Sequence, residues 1–174
     1  MTTIDTHTLA SLLPADFSPS SRVWIFQSSR NFNEQEILEI NEQLYQFYSQ
    51  WQSHGKEVKG WASLLFSRFV VVIADETATG VSGCSTDSMT RIIKSFERQY
   101  QIDFFNRTTL TFLVDGKTES LPMQQVAYAL QQGYLQTDTL LFNNLVETKE
   151  QLLSHWLTPL HQSWLWPRLT KPSS

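Results

Sequence analysis

The only cysteine of the chain, Cys84, lies in GVSGCSTDS (residues 80–88), between the apolar run FVVVIAD and a segment with helical spacing. A thiol near a helix N-terminus feels a positive partial charge, which lowers its pKa and raises its thiolate fraction. His54 is the candidate base for such a thiol, and Asp75, at the end of a strand-like run, the candidate acid that orients the imidazole, with Asp87 as the alternative. That set would support acyl transfer or hydrolysis through Cys84. The same stretch also suits an anion. Free N–H groups at a helix start, the backbone of Gly83 and the hydroxyls of Ser85, Thr86 and Ser88 could cradle a phosphate or carboxylate.

Local structure offers a simpler account of the same residues. With Ser85 as N-cap, Cys84 and Met89 fall at the two hydrophobic-staple positions, so the thiol is expected to be a small buried hydrophobe. Gly80 and Gly83 supply the backbone freedom of the turn. Asp87, expected in the first helical turn, opposes both a thiolate and a bound anion, and no second cysteine can resolve an oxidised thiol. The structural reading is preferred. It makes the chain a non-enzymatic small-ligand or protein-interaction module with an anion site at residues 83–88, the thiol-dependent enzyme being the alternative.

Other chemistry-bearing residues are sparser. His155 and His161 are separated by Pro159 and do not share a helix face as an i, i+4 ligand pair would. Asp75 and Glu76 form an acidic pair of the kind usually found in a solvated loop. No metal site is expected, and no cofactor, because the GxxxxGK[ST], GxGxxG, GxSxG and HExxH motifs are all absent. Trp156, Trp164 and Trp166 either pack the C-terminal tail onto the body, the preferred reading, or form a partner patch.

The elements that must position these residues are marked by periodicity. RVWIFQS (22–28) is apolar on both alternating faces, as in a strand covered on both sides. Asn33 and Glu36 form a capping box, and Ile37, Ile40, Leu44, Phe47 and Trp51 a helical stripe; together they predict a helix stopped by Gly55. GWASLLF (60–66) and FVVVIAD (69–75), joined by Ser67-Arg68, predict a hairpin. A helix follows with Met89, Ile92, Ile93, Phe96 and Tyr100 on one side. RTTLTFLV (107–114), Asp115-Gly116 and KTES predict a second hairpin with a type I′ turn. A helix near Pro122 that stops at Gly133, a strand in TLLFNNLV and a helix capped by Thr148 and Gln151 complete the chain.

This order fits an α+β class with a ferredoxin-like (β-α-β-β-α-β) sheet, helices mainly on one face and a C-terminal helical extension. Residues 1–21, polar and with Pro14 and Pro19, are expected to be a flexible N-terminal arm before a single domain at 22–170. The chain has 174 residues, 41% hydrophobic and 13% aromatic, enough for a real core. Net charge is −4 with no basic stripe, so no nucleic acid is expected. The N-terminus lacks a basic n-region, and the longest apolar run falls far short of the roughly 20 residues that span a bilayer. A cytoplasmic location without membrane contact is expected. The partner would be a small anionic ligand or another protein, a second copy of the chain included.

VWIFQSSR, QWQSHGK, RFVVVIADE, SGCSTDS and TLLFNNLV, in this order and at these distances, resemble a family of small uncharacterised bacterial proteins. Its members often carry the inherited name "ABC transporter ATPase". VSGCS only faintly echoes the LSGGQ signature of such ATPases, and the Walker lysine is absent. The resemblance implies no activity and no catalytic residues.

Overall fold

Alternating apolar side chains on three neighbouring strands build a sheet with two buried faces. The computed structural model describes residues 6–171. Its first half runs α1 (Thr6–Leu12), β1 (Arg22–Gln27), α2 (Glu34–Ser49), β2 (Gln52–Ser53), β3 (Lys56–Glu57), β4 (Lys59–Leu65), β5 (Phe69–Asp75) and α3 (Gly83–Tyr100). The second half runs β6 (Thr109–Val114), β7 (Lys117–Pro122), α4 (Val126–Gln131), β8 (Leu140–Phe142), α5 (Lys149–His155), β9 (Leu157–Pro159) and α6 (Trp166–Leu169).

β1, β5 and β4 form an antiparallel sheet in that order, and every residue of the central strand β5 is buried. Val70, Val72 and Ala74 face a core made with Ile40 and Leu44 of α2 and Met89, Ile93 and Phe96 of α3. Phe69, Val71 and Ile73 face a second core made with Leu9, Phe142, Leu152 and Trp156. Helices therefore cover both faces, because α1 and α5 close the side opposite α2 and α3. The expectation of helices mainly on one face is corrected by this second core.

The chain is mixed α+β, with several antiparallel sheets, but the ferredoxin-like order is not completed. β1 and β4 flank β5 as a split β-α-β unit does, and that fold would add a further strand along the free side of β1. β6 does not go there. Asp115 and Gly116, with φ of 51° and 76°, turn it tightly onto β7, and β8 takes its other side, giving the sheet order β7-β6-β8-β9. β8 pairs with Phe112 and Leu113 on that side, and the Thr109 carbonyl before them accepts the Gln27 side chain in place of β1 backbone. A third core, around Phe112, Val126, Leu141, Leu160 and Leu165, sits on this second sheet.

The N-terminal segment is not a free arm over its described part. Leu9, Leu13 and Phe17 are buried in the second core. The buried ammonium of Lys149 donates to the carbonyls of Pro14 (2.7 Å) and Phe17 (2.9 Å), which ties the segment to α5. Residues 1–5 lie outside the described residues. Trp156 is fully buried, and Trp164 and Trp166 pack, half-buried, against the third core. No helix among the described residues is long and apolar enough to cross a membrane.

The tip of the β4–β5 hairpin joins these parts. Phe66 and Ser67 both have left-handed backbone, φ 54° and 59°, which for a bulky residue costs about 1–3 kcal/mol. The ring of Phe66 packs on Phe142 and Trp156, each centroid 5.4 Å away. Two such pairs, at about 0.5–1.5 kcal/mol each beyond area burial, are of the size needed to offset that strain. The next residue, Arg68, is buried at 7% exposure. Its guanidinium donates to Asn31 Oδ1 (2.7 Å) and to the Ser120 hydroxyl of β7. It forms no ion pair among the described residues. Burial pulls its pKa below the ordinary arginine value, and the nearby charge of Glu119 opposes that shift.

Two outcomes follow from these contacts. Arg68→Ala is expected to lower stability by about 2–3 kcal/mol in urea unfolding, because two charge-assisted hydrogen bonds are lost. Arg68→Lys should recover little, since an ammonium does not reproduce the fork; a loss no larger than that of a surface substitution would remove the hub assigned to Arg68. The second concerns Glu36 at the start of α2. The Arg30 guanidinium and the Asn33 N–H hold its carboxyl at about 2, against an ordinary 4.5. The folded pKa is depressed, so its contribution is complete above 4.5 and fades as pH falls towards 2. Glu36→Gln should destabilise at pH 6, and its gap from the native chain should close over that window.

Candidate functional site

The cysteine loop is built from its own serines. α3 starts three residues earlier than expected, with Ser82 as N-cap: its hydroxyl accepts the Ser85 N–H, and the Ser85 hydroxyl accepts the Ser82 N–H. Ser85 therefore stands at the third helical position and plays the part usually given to Glu or Gln. Cys84 is consequently the second helical residue, and it is exposed. The expected staple of Cys84 on Met89 is not formed, while Met89 packs in the first core without it. Asp87 lies beyond the first turn, which carries no acidic residue.

Cys84, His54 and Asp75 are not joined by any hydrogen bond among the described residues. α2 ends at Ser49, and His54 with Gly55 forms the turn between β2 and β3, at φ 51° and 78°. Gly55 thus makes a hairpin turn instead of the expected helix stop, and His54 is exposed at its tip. Trp51, expected on the helical stripe, instead follows the helix and donates its indole N–H to the Ser85 carbonyl (3.0 Å). The carboxylate of Asp75 is occupied elsewhere. It accepts the Ser18 N–H (2.9 Å) and both the N–H and the hydroxyl of Thr77, and these bonds, with Lys59 3.9 Å away, hold its pKa below the usual range.

The anion cradle is similarly engaged in local structure. Ser85 is buried and its hydroxyl also donates to the Gln52 carbonyl (2.9 Å). Thr86 and Ser88 bond back to the carbonyls of Gly83 and Ser85. Gly83 has open space around its α-carbon. What remains for a ligand is the exposed start of one helix. Among the described residues no group of three His, Cys, Asp or Glu side chains could hold a metal ion.

A larger site lies where the missing fourth strand would be. A cleft of about 470 Å³ runs along the free side of β1, within the size range of small-molecule pockets. Val23 to Gln27 form its floor, residues 104–107 with Thr109 and Leu110 one wall, and Phe142 with residues 144–147 the other, with Trp164 beside them. Two large apolar side chains on its walls stand in solvent, Phe105 at 41% and Leu145 at 66% exposure. Phe105 meets Phe26 edge to face at 5.8 Å. Arg107 and Glu147 give the lining one charge of each sign.

The two edges of the three-stranded sheet are finished differently. Along β4, the Asn41 side chain of α2 accepts the outward Leu64 N–H (2.9 Å). Along β1, the chain's own pairing stops almost at once. Arg22 makes a single bridge to Thr148, with the Val23 N–H donating to the Glu147 carbonyl (2.9 Å). At the other end Ser28 donates inward to the Arg68 carbonyl, and the Gln27 side chain reaches Thr109 and Asn144. Antiparallel alternation then points the N–H and C=O of Ile25 outward, between two stitched ends. No partner meets them among the described residues.

Comparison with known proteins finds no matching family model, no similar curated protein and no similar solved structure. The cleft residues carry no motif in the sequence, being ordinary apolar and polar types at scattered positions. The available signals were the doubly apolar RVWIFQ and the two phenylalanines of the polar loop IDFFNRT.

Placement of Cys84 gives a direct outcome. In the native protein it should react with iodoacetamide as readily as in urea, and Cys84→Ala should leave the unfolding midpoint unchanged. Protection of the thiol until unfolding would contradict its exposed place at the second helical residue.

Proposed function

We propose that the protein is a non-enzymatic binding module that takes a small molecule in the cleft beside β1. The observation that carries this reading is a cleft of small-molecule size lined by Phe26, Phe142 and Val146 among polar neighbours and rimmed by Phe105 and Leu145 in solvent. Exposed large apolar side chains grouped around a concavity favour a ligand over a bare surface. The anion expected at residues 83–88 is less favoured, since the hydroxyls of Ser85, Thr86 and Ser88 already serve the helix start. Membership of the small bacterial family that the sequence resembles belongs to the same proposal and adds no activity to it.

One feature favours the thiol-dependent alternative: Cys84 is exposed at the second residue of a long helix. Against it, Asp75 is satisfied by Ser18 and Thr77, and His54 sits at a hairpin tip without a bond to the thiol.

The test is a fragment screen followed by amide chemical shifts of the isotope-labelled protein. Flat apolar fragments are expected to move the signals of residues 23–27, 104–107 and 144–147 and to leave 83–88 unmoved. Phe105→Ala with Leu145→Ser should weaken that binding about tenfold, through lost apolar contact of roughly 1.4 kcal/mol. Shifts confined to residues 83–88 would contradict the proposal and return attention to the cysteine loop.

A further inference from the structure

We infer that the cleft recognises a flat, neutral ring carrying an adjacent hydrogen-bond donor and acceptor, the edge of a cyclic amide or nucleobase, held against the outward N–H and C=O of Ile25. This rests on the cleft being the binding site and adds the class of ligand. In an antiparallel strand the N–H and C=O of one residue point the same way, so together they form a donor–acceptor pair. That pair matches the adjacent C=O and N–H of a cyclic amide.

The walls specify the shape. Side chains stand roughly perpendicular to a sheet, so a ring bonded in the plane of the edge lies between the two rows of β1 side chains. On one side are Phe26 and its edge-to-face partner Phe105. On the other are Ile25 and the second-core residues Phe142 and Val146. A flat ring suits that arrangement, with aromatic side chains on both of its faces.

The ends specify the length. The bridge of Arg22 to Thr148 closes the gap at one end, and the Gln27 side chain, bonded to the Thr109 carbonyl (3.1 Å) and to Asn144 (3.1 Å), closes it at the other. An added peptide strand would have to displace one of these stitches, so a compact ligand is favoured over an extended chain. Arg107 and Glu147 balance in sign, so no net ligand charge is called for.

The experiment uses the full chain and three probes: 2-quinolinone, its N-methyl derivative and naphthalene, titrated with amide chemical shifts as readout. 2-Quinolinone is expected to bind at least about tenfold more tightly than either of the others, and to move the Ile25 amide proton downfield. Equal binding of all three, with the cleft signals moving alike, would overturn the inference while leaving the cleft as an apolar binding site. Failure of every probe to move residues 23–27 would overturn both.

Discussion

A buried cation on a strained turn holds the two sheets in their relation. Arg68 extends from the β4–β5 hairpin to Asn31 after β1 and to Ser120 on β7, while Phe66 of the same turn packs on Phe142 and Trp156. The turn's own carbonyls accept the N–H groups of Ser28 and Phe32. Taking a guanidinium out of water without an ion-pair partner costs several kcal/mol, only part of which the bonds to Asn31 and Ser120 return, and left-handed backbone at Phe66 adds to that. Such costs persist only where the surroundings fix the geometry from several directions. Here the directions are the loop after β1, the second sheet and the aromatic cluster.

That constraint explains why β1 keeps an open edge. Sheet edges in native proteins are normally covered, charged or shortened. β4 is finished by the Asn41 amide, a single side chain placed by α2. β1 is stitched at its two ends and, among the described residues, unpaired between them, with the second sheet held beside it by Arg68 and Gln27. The cleft is the space between a strand that lacks its neighbour and a sheet that does not supply one. The binding role proposed for it and its place in the topology have one origin.

Much of the fold was legible in the sequence, and the failures have identifiable causes. Asp115-Gly116 marked its hairpin because few other pairs tolerate two positive φ angles, and Asn33 with Glu36 marked the start of α2 because the capping box is local. His54-Gly55 is ambiguous in sequence, because a glycine after an apolar stripe serves equally as helix stop and as hairpin turn. Leu9, Leu13 and Phe17 looked like an arm, since no local pattern announces that a distant lysine will hold their carbonyls. The start of α3 is ambiguous by three residues, because Ser82, Ser85 and Ser88 offer the same cap in three registers. The cleft was least legible of all. It depends on which strand β6 chooses, and that choice is made by long-range pairing rather than by any residue type in the lining.

Amide hydrogen exchange along β1 tests the open edge most directly. Trp24 and Phe26, whose N–H groups point to β5, should exchange at the slow rate of the core. Ile25 should exchange orders of magnitude faster, although it lies between them, and should slow when a ligand fills the cleft. Ile25 protected to the same degree as Trp24 and Phe26 in the free protein would mean that a fourth strand covers the edge, and the cleft would not exist as a binding site.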